Sequence, residues 1–178
     1  MAESPQTCTV TVVSSDAVSF RVNPAVVRIS TLISSMGPDP DMVDDEDEEE
    51  LEDIPLPNVD GKTLQSVLQY CEAYHSTPHG DLCVSPRPGD TVSKFVPSWF
   101  AEFMNSFGTD PSLFRLWAAA SYLDIAPLVE LISLHVACVI NTIDVNSLGD
   151  VFHVTEELTD AEKKQIQNDA SWIKTQRS

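Results

Sequence analysis

Between Pro127 and Ile140 the chain sets apolar side chains on nearly every side of a helix: Leu128, Val129, Leu131, Ile132, Leu134, Val136, Ala137, Val139 and Ile140. A surface helix of a globular protein carries one apolar stripe and one polar face. A segment apolar on most sides is either enclosed by its own domain or keeps surface for a partner. It lies inside a longer run, Ala118 to Trp172, that is rich in apolar residues and closes on an isolated Trp172. The run as a whole reads as an open helical surface for another protein.

The start of the chain has a different periodicity. Cys8 to Val13 is β-branched and nearly alternating, Ser14 to Ala17 reads as a turn, and Ser19 to Val22 alternates again, which predicts a hairpin. Asn23-Pro24 supplies a cap and a first-turn proline for a helix to about Met36. In it Val26, Val27, Ile29, Leu32 and Ile33 face inward, and Gly37 ends it. The prolines of Asp53 to Pro57 predict a short edge strand. Asp60 caps a helix from Gly61 to about His75, with Leu64, Val67, Leu68 and Cys71 inward. Further helices are expected from Pro97 to Phe107, from Pro111 (capped by Asp110) to Tyr122, and through the apolar segment. Asp144 opens another to Phe152, and Thr159 to Glu162 fits a capping box for a last helix reaching Trp172. This order predicts an α+β domain, a three-stranded sheet covered by helices, with a helical extension.

The chain has 178 residues, enough for one domain with an appendage, and 42% of them are hydrophobic. Its net charge of -18 is unevenly spread: Asp39 to Asp53 holds eleven acids and no base, and without them the balance is -7. Like charges so close repel one another, so about 38–52 reads as a disordered loop. Three prolines and two glycines make about 76–94 a second, flexible loop. Nucleic acid is not expected as a partner, since phosphate recognition needs a basic patch, and an anionic membrane surface is disfavoured for the same reason. With no signal-peptide pattern and no long apolar span, the expected location is cytoplasmic and nuclear. The four cysteines then read as buried or idle thiols.

Catalytic signatures are missing. No phosphate-cradling glycine loop or GxSxG elbow occurs, and the carboxylates of the acidic run lack the apolar surroundings that raise a pKa for acid catalysis. No enzyme activity and no cofactor are expected. Cys71, His75, His79 and Cys83 recur every four residues and are zinc-capable types, but Cys71 belongs to an inward helix face and the spacing lacks a CxxC knuckle, so no metal is expected. Cys8 opens a strand with no His or Asp near in sequence and reads as structural. His135 and His153 read as core-edge or interface histidines.

Several segments together resemble a known family. They are Val13-Ser14-Ser15-Asp16 with Phe20 and Val22, Ile54-Pro55-Leu56-Pro57-Asn58-Val59, Gln69-Tyr70-Cys71, and Ala119 to Ile125. Val151 to Trp172 also matches, with Phe152, the Leu158-Thr159 helix start and Asn168. The chain is similar to the S-phase-kinase-associated adaptor subunit of Skp–cullin–F-box ubiquitin ligases, across nearly its whole length outside the two loops. That resemblance implies a BTB/POZ-type domain over 1–141 and a C-terminal F-box-binding helical extension over 142–178. It implies a non-catalytic adaptor that joins an F-box substrate receptor to a cullin scaffold in a heterodimer or larger hetero-complex, with weak self-association besides. F-box-facing positions are expected at Val129, Ser133, Val136, Ile140, Phe152, Val154, Leu158 and Trp172. Cullin-facing positions are expected at Leu113, Phe114, Ser121 and Tyr122.

The sequence departs from the family pattern at several points. Ser121 stands where Asn is usual, Pro127 where Lys or Gly is usual, and Val145 where a helix-opening Pro is usual. The chain therefore reads as a divergent member, with cullin affinity the more affected property. Other classes stay open: an F-box-binding or self-associating BTB adaptor outside a cullin ligase, or an acidic chaperone for basic proteins.

Overall fold

The computed structural model describes residues 9–36, 53–82, 84–144, 147–153 and 159–169. Cys8, Gly37, the acidic run before Asp53, Cys83, Val145, Val154, Leu158 and Trp172 lie outside the described residues.

The expected hairpin is formed by β1 (Val10–Ser14) and β2 (Ser19–Val22), with Val10 opposite Val22 and Val12 opposite Phe20. β3 (Ile54–Leu56) runs parallel to β1 on its other side, giving the order β2-β1-β3. The edge place suits Pro55, which has no N–H to offer an outer neighbour. Val10, Val12, Val22, Ile54 and Leu56 are buried and form the inner face of the sheet.

The hairpin turn is tied to the helix that follows the sheet. Ser14 Oγ donates to Asp16 Oδ1 at 2.6 Å, and the same carboxylate oxygen accepts the Gly61 N–H at 2.7 Å. The Ser14 hydroxyl, and after it the Gly61 N–H, hold the Asp16 carboxyl below its ordinary range. Gly61 opens α3 (Gly61–Ser76), and a Cβ there would meet Val18 Cγ2 at 3.0 Å and Asp16 Oδ1 at 3.1 Å. Glycine is what lets turn and helix approach so closely. Asp60 caps α3 as expected, accepting from the Thr63 N–H at 3.0 Å.

The single helix expected over 24–36 is two pieces, α1 (Pro24–Val27) and α2 (Thr31–Met36). The break is the work of Ser30, which is fully buried. Its hydroxyl donates to the Leu123 carbonyl at 2.5 Å and accepts the Ile33 N–H at 3.2 Å, so Ser30 caps α2 and cannot sit inside a continuous helix.

Residues 77–82 and 84–94 are irregular apart from a 3-10 turn at Val92–Lys94, but they are pinned to the body. Leu82 and Val92 are buried, and Asn141 Nδ2 donates to the Pro86 carbonyl at 2.9 Å. His79 is buried as well. Its Nδ1 lies 3.0 Å from the Gly80 carbonyl and its Nε2 2.7 Å from the Tyr70 hydroxyl. A carbonyl only accepts, so in the neutral ring Nδ1 carries the hydrogen and Nε2 accepts from Tyr70.

Four helices complete the body and lead out of it: α4 (Ser98–Phe107), α5 (Pro111–Tyr122), α6 (Ala126–Ile140) and the one-turn α7 (Leu148–Val151). α5 packs against both α3 and α6. Leu64 and Tyr70 of α3, Met104 of α4, Leu113, Leu116 and Ala120 of α5, and Leu128 and Leu131 of α6 have no exposed surface. Of the helix expected over 144–152, the described residues form the one-turn α7, none of whose residues is fully buried. α8 (Asp160–Asp169) starts on the expected capping box: Thr159 N–H and Oγ1 donate to Glu162 Oε2 at 2.8 and 2.7 Å, and Glu162 N–H returns to Thr159 Oγ1 at 3.3 Å. Among the described residues, no helix is long and apolar enough to cross a membrane.

Candidate functional site

α6 is mostly enclosed by its own domain, so the apolar surplus read from the sequence narrows to one stripe. Leu128, Leu131, Ile132, Leu134, His135 and Cys138 are buried. Val129, Ser133, Val136 and Ile140 recur at steps of three and four residues, which keeps them in one sector of the helix. Val129 and Val136 are half-buried, while Ser133 and Ile140 are exposed, Ile140 by 44%. The Ser133 hydroxyl donates to the Val129 carbonyl one turn back at 2.7 Å, so its polarity is absorbed within the helix. These are the four expected F-box-facing positions of this helix, and the fold brings them together.

A second stripe runs along α5. Phe114, Trp117, Ala118 and Ser121 are exposed at spacings of three and four, Phe114 by 42% and Trp117 by 47%, with Tyr122 half-buried beside them. Trp117 is missing from the residues singled out in the sequence, although its place three after Phe114 and four before Ser121 is a legible signal. Leu113, expected on the cullin-facing surface, is instead a core residue with 0% exposure. It lies on the opposite side of α5, toward Leu116 and Ala120, because one residue along a helix turns the side chain by about 100°.

The backbone after this stripe explains why Tyr122-Leu123-Asp124-Ile125 is a conspicuous string. The Ile125 N–H bonds to the Ala120 carbonyl at 2.9 Å and the Asp124 N–H to the Ser121 carbonyl at 3.3 Å. Asp124 has a φ of 52°, the left-handed conformation of a Schellman helix stop. Leu123 and Ile125 are fully buried, and the Leu123 carbonyl accepts from Ser30. The string ends α5 and fixes its last turn, and with it Ser121 and Tyr122, against the body.

The expected F-box and cullin surfaces meet at one point. The ring of Phe152, just past α7, packs edge-on against Phe114, with centroids 6.1 Å apart and planes at 63°. At the same end of α5, Asp110 accepts the Ser112 N–H at 2.9 Å. Its carboxyl is held below the ordinary range chiefly by Ser112, with His153 and Arg115 adding attraction. His153 is exposed and sits in the left-handed region at φ 54°, so it closes the short α7 and is not a core-edge residue. His135 does lie at the core, with Nε2 2.9 Å from the Gly108 carbonyl.

Of the four zinc-capable positions, Cys83 lies outside the described residues. Cys71 is buried, its thiol pushed up to about 12 by burial, and both ring nitrogens of His79 are already hydrogen-bonded. Among the described residues, no group of three or more His, Cys, Asp or Glu side chains could hold a metal ion. A polar cleft of about 350 Å³ between α3, α4 and α5 is lined by Asp60, Lys62, Ser106, Asp110 and Arg115 among others. Hydrogen bonds hold both Asp60 and Asp110 below their ordinary range, with Thr63 the main cause at Asp60. That is the opposite of what a general base at neutral pH requires.

Comparison with known proteins gives one consistent picture. Residues 8–76 match the model of the Skp1 family tetramerisation domain, a POZ domain. The chain is 31% identical over 162 residues to a Skp1-related protein of Caenorhabditis elegans, covering 89% of this chain and 88% of the other. It is 30% identical over 161 residues to the SCF ubiquitin ligase complex protein SKP1a of Dictyostelium discoideum, covering 89% and 91%. SKP1-like protein 14 of Arabidopsis thaliana is 29% identical over 159 residues, covering 89% and 92%.

Proposed function

The chain belongs to the Skp1 family, and from that membership we propose that it is a non-catalytic adaptor of an SCF-type ubiquitin ligase. It joins an F-box protein, held by the 142–178 extension and the open stripe of α6, to a cullin scaffold at the last turn of α5. The observation that carries this reading is the stripe of Val129, Ser133, Val136 and Ile140 on a helix whose leucines, with Ile132 and Cys138, are buried. A single open seam beside a helical extension fits an amphipathic partner helix laid into a groove. Each large apolar side chain covered there contributes about 1.5–3 kcal/mol before the costs of association. Trp172 is the anchor of the extension, as aromatic residues dominate binding hot spots. Ser121 and Tyr122 form the cullin-facing set, and the protein works in the cytoplasm and nucleus.

The test is capture of an F-box domain by the double variant Ile140→Glu, Trp172→Ala. Ile140 is exposed, so the variant is expected to keep the parent's circular dichroism and melting point while losing at least tenfold in affinity. Undiminished capture by a folded double variant sinks the assignment.

A further inference from the structure

Two rings from distant parts of the chain meet at the base of the extension, and neither is placed there by the spacing of its own helix. Phe114 lies on the first turns of α5, and Phe152 follows α7 after 37 intervening positions of chain that include all of α6. α7 is one turn long and none of its four residues is fully buried, so a helix this short depends on contacts beyond its own turn. Leu148, Val151 and Phe152 are half-buried, and an edge-on ring contact joins Phe152 to Phe114. His153 adds an attraction to Asp110, the cap of α5, so two successive residues of the segment face two positions of the same helix start.

We propose that Phe114 is a positioning residue for the C-terminal extension: with Phe152 it forms a clasp that fixes where the extension leaves the body. This deepens the adaptor reading and rests on it for its functional consequence. Phe114 would then serve the F-box side through Phe152, while the cullin-facing surface is confined to Ser121 and Tyr122. Edge-to-face geometry makes the clasp selective for a ring at 114, since an aliphatic side chain there covers similar area but offers no quadrupole partner.

Two backbone amides report on the clasp directly. The Phe152 N–H bonds to the Leu148 carbonyl at 3.1 Å and the His153 N–H to the Asp150 carbonyl at 3.3 Å. In the full chain, Phe114→Leu is expected to speed hydrogen exchange at these two amides by about three- to tenfold. Phe114→Tyr is expected to restore the parent rate, and the melting point of the body to stay unchanged. Phe152→Ala should have the same effect as Phe114→Leu, and the double variant no more than either alone. Additive effects, or no change at the two amides, overturn the clasp. Affinity for a recombinant F-box domain supplies the second arm. Phe114→Leu should weaken it in the parent and leave it unaltered in the Phe152→Ala background. An equal loss in both backgrounds means that Phe114 touches the F-box itself and overturns the positioning role. If the parent fails to bind the F-box domain, the adaptor reading falls while the exchange data still decide whether the clasp exists.

Discussion

α6 and α8 are both regular helices, yet they are held by opposite means. α6 has no side-chain cap at Ile125 and buries six of its fifteen residues. α8 opens on a complete capping box, and every side chain described in it is exposed, Ile166 by 52%. One helix is stabilised by the domain around it and the other by the local chemistry of its first turn. The contrast separates a body that folds on its own core from a helix whose described side chains are exposed.

The sharpest way to break this contrast is to empty the core beneath α6. Leu128→Ala is expected to cost about 2–5 kcal/mol in chemical denaturation, since Leu128 has no exposed surface. Removing residues 142–178 is expected to change the stability of the body by less than about 1 kcal/mol. Comparable losses from the two changes would make the extension part of the core and abolish the division at 141/142.

A middling effect is expected at the capping box. Thr159→Ala removes the acceptor for the Glu162 N–H and the hydroxyl donor to Glu162. It should lower the stability of α8 by about 1 kcal/mol, seen as lost helical circular dichroism with an unaltered melting point of the body. A shift of that melting point would show that α8 is packed on the body in solution.

The smallest effect is acid sensitivity. Hydrogen bonds hold Asp16 in the body and Glu162 in the extension below their ordinary carboxylate values. A lowered folded pKa means that their contribution is fully present above the unfolded value and lost as pH falls through the folded one, below about pH 4. The Asp16→Asn chain should therefore show a smaller drop in melting point than the parent on acidification through that window. An identical drop removes Asp16 as a source of acid sensitivity.

The legible parts of the sequence were those written in local chemistry. The hairpin, the caps at Asn23, Asp60 and Asp110, the capping box at Thr159 and the edge place of β3 follow from a few adjacent residues each. The α6 stripe was legible in outline, as a helix with too many apolar positions. The misreadings involve contacts far apart in the chain. Ser30 breaks the expected 24–36 helix because its hydroxyl reaches Leu123, 93 residues away. The family resemblance puts Leu113 and Phe114 on one surface, and only the packing of α5 against α3 and α6 sends the first into the core while the second stays outward.

By itself the sequence determined where helices begin, which faces are apolar and that the chain resembles one adaptor family, because capping, periodicity and composition act within a few residues. The tertiary structure alone decided how much of α6 is spare, since burial depends on which neighbours arrive to cover it. It also decided that Phe152 returns to Phe114 across the whole of α6. That pairing of rings is a matter of three-dimensional approach, for which no spacing in the chain carries a signal.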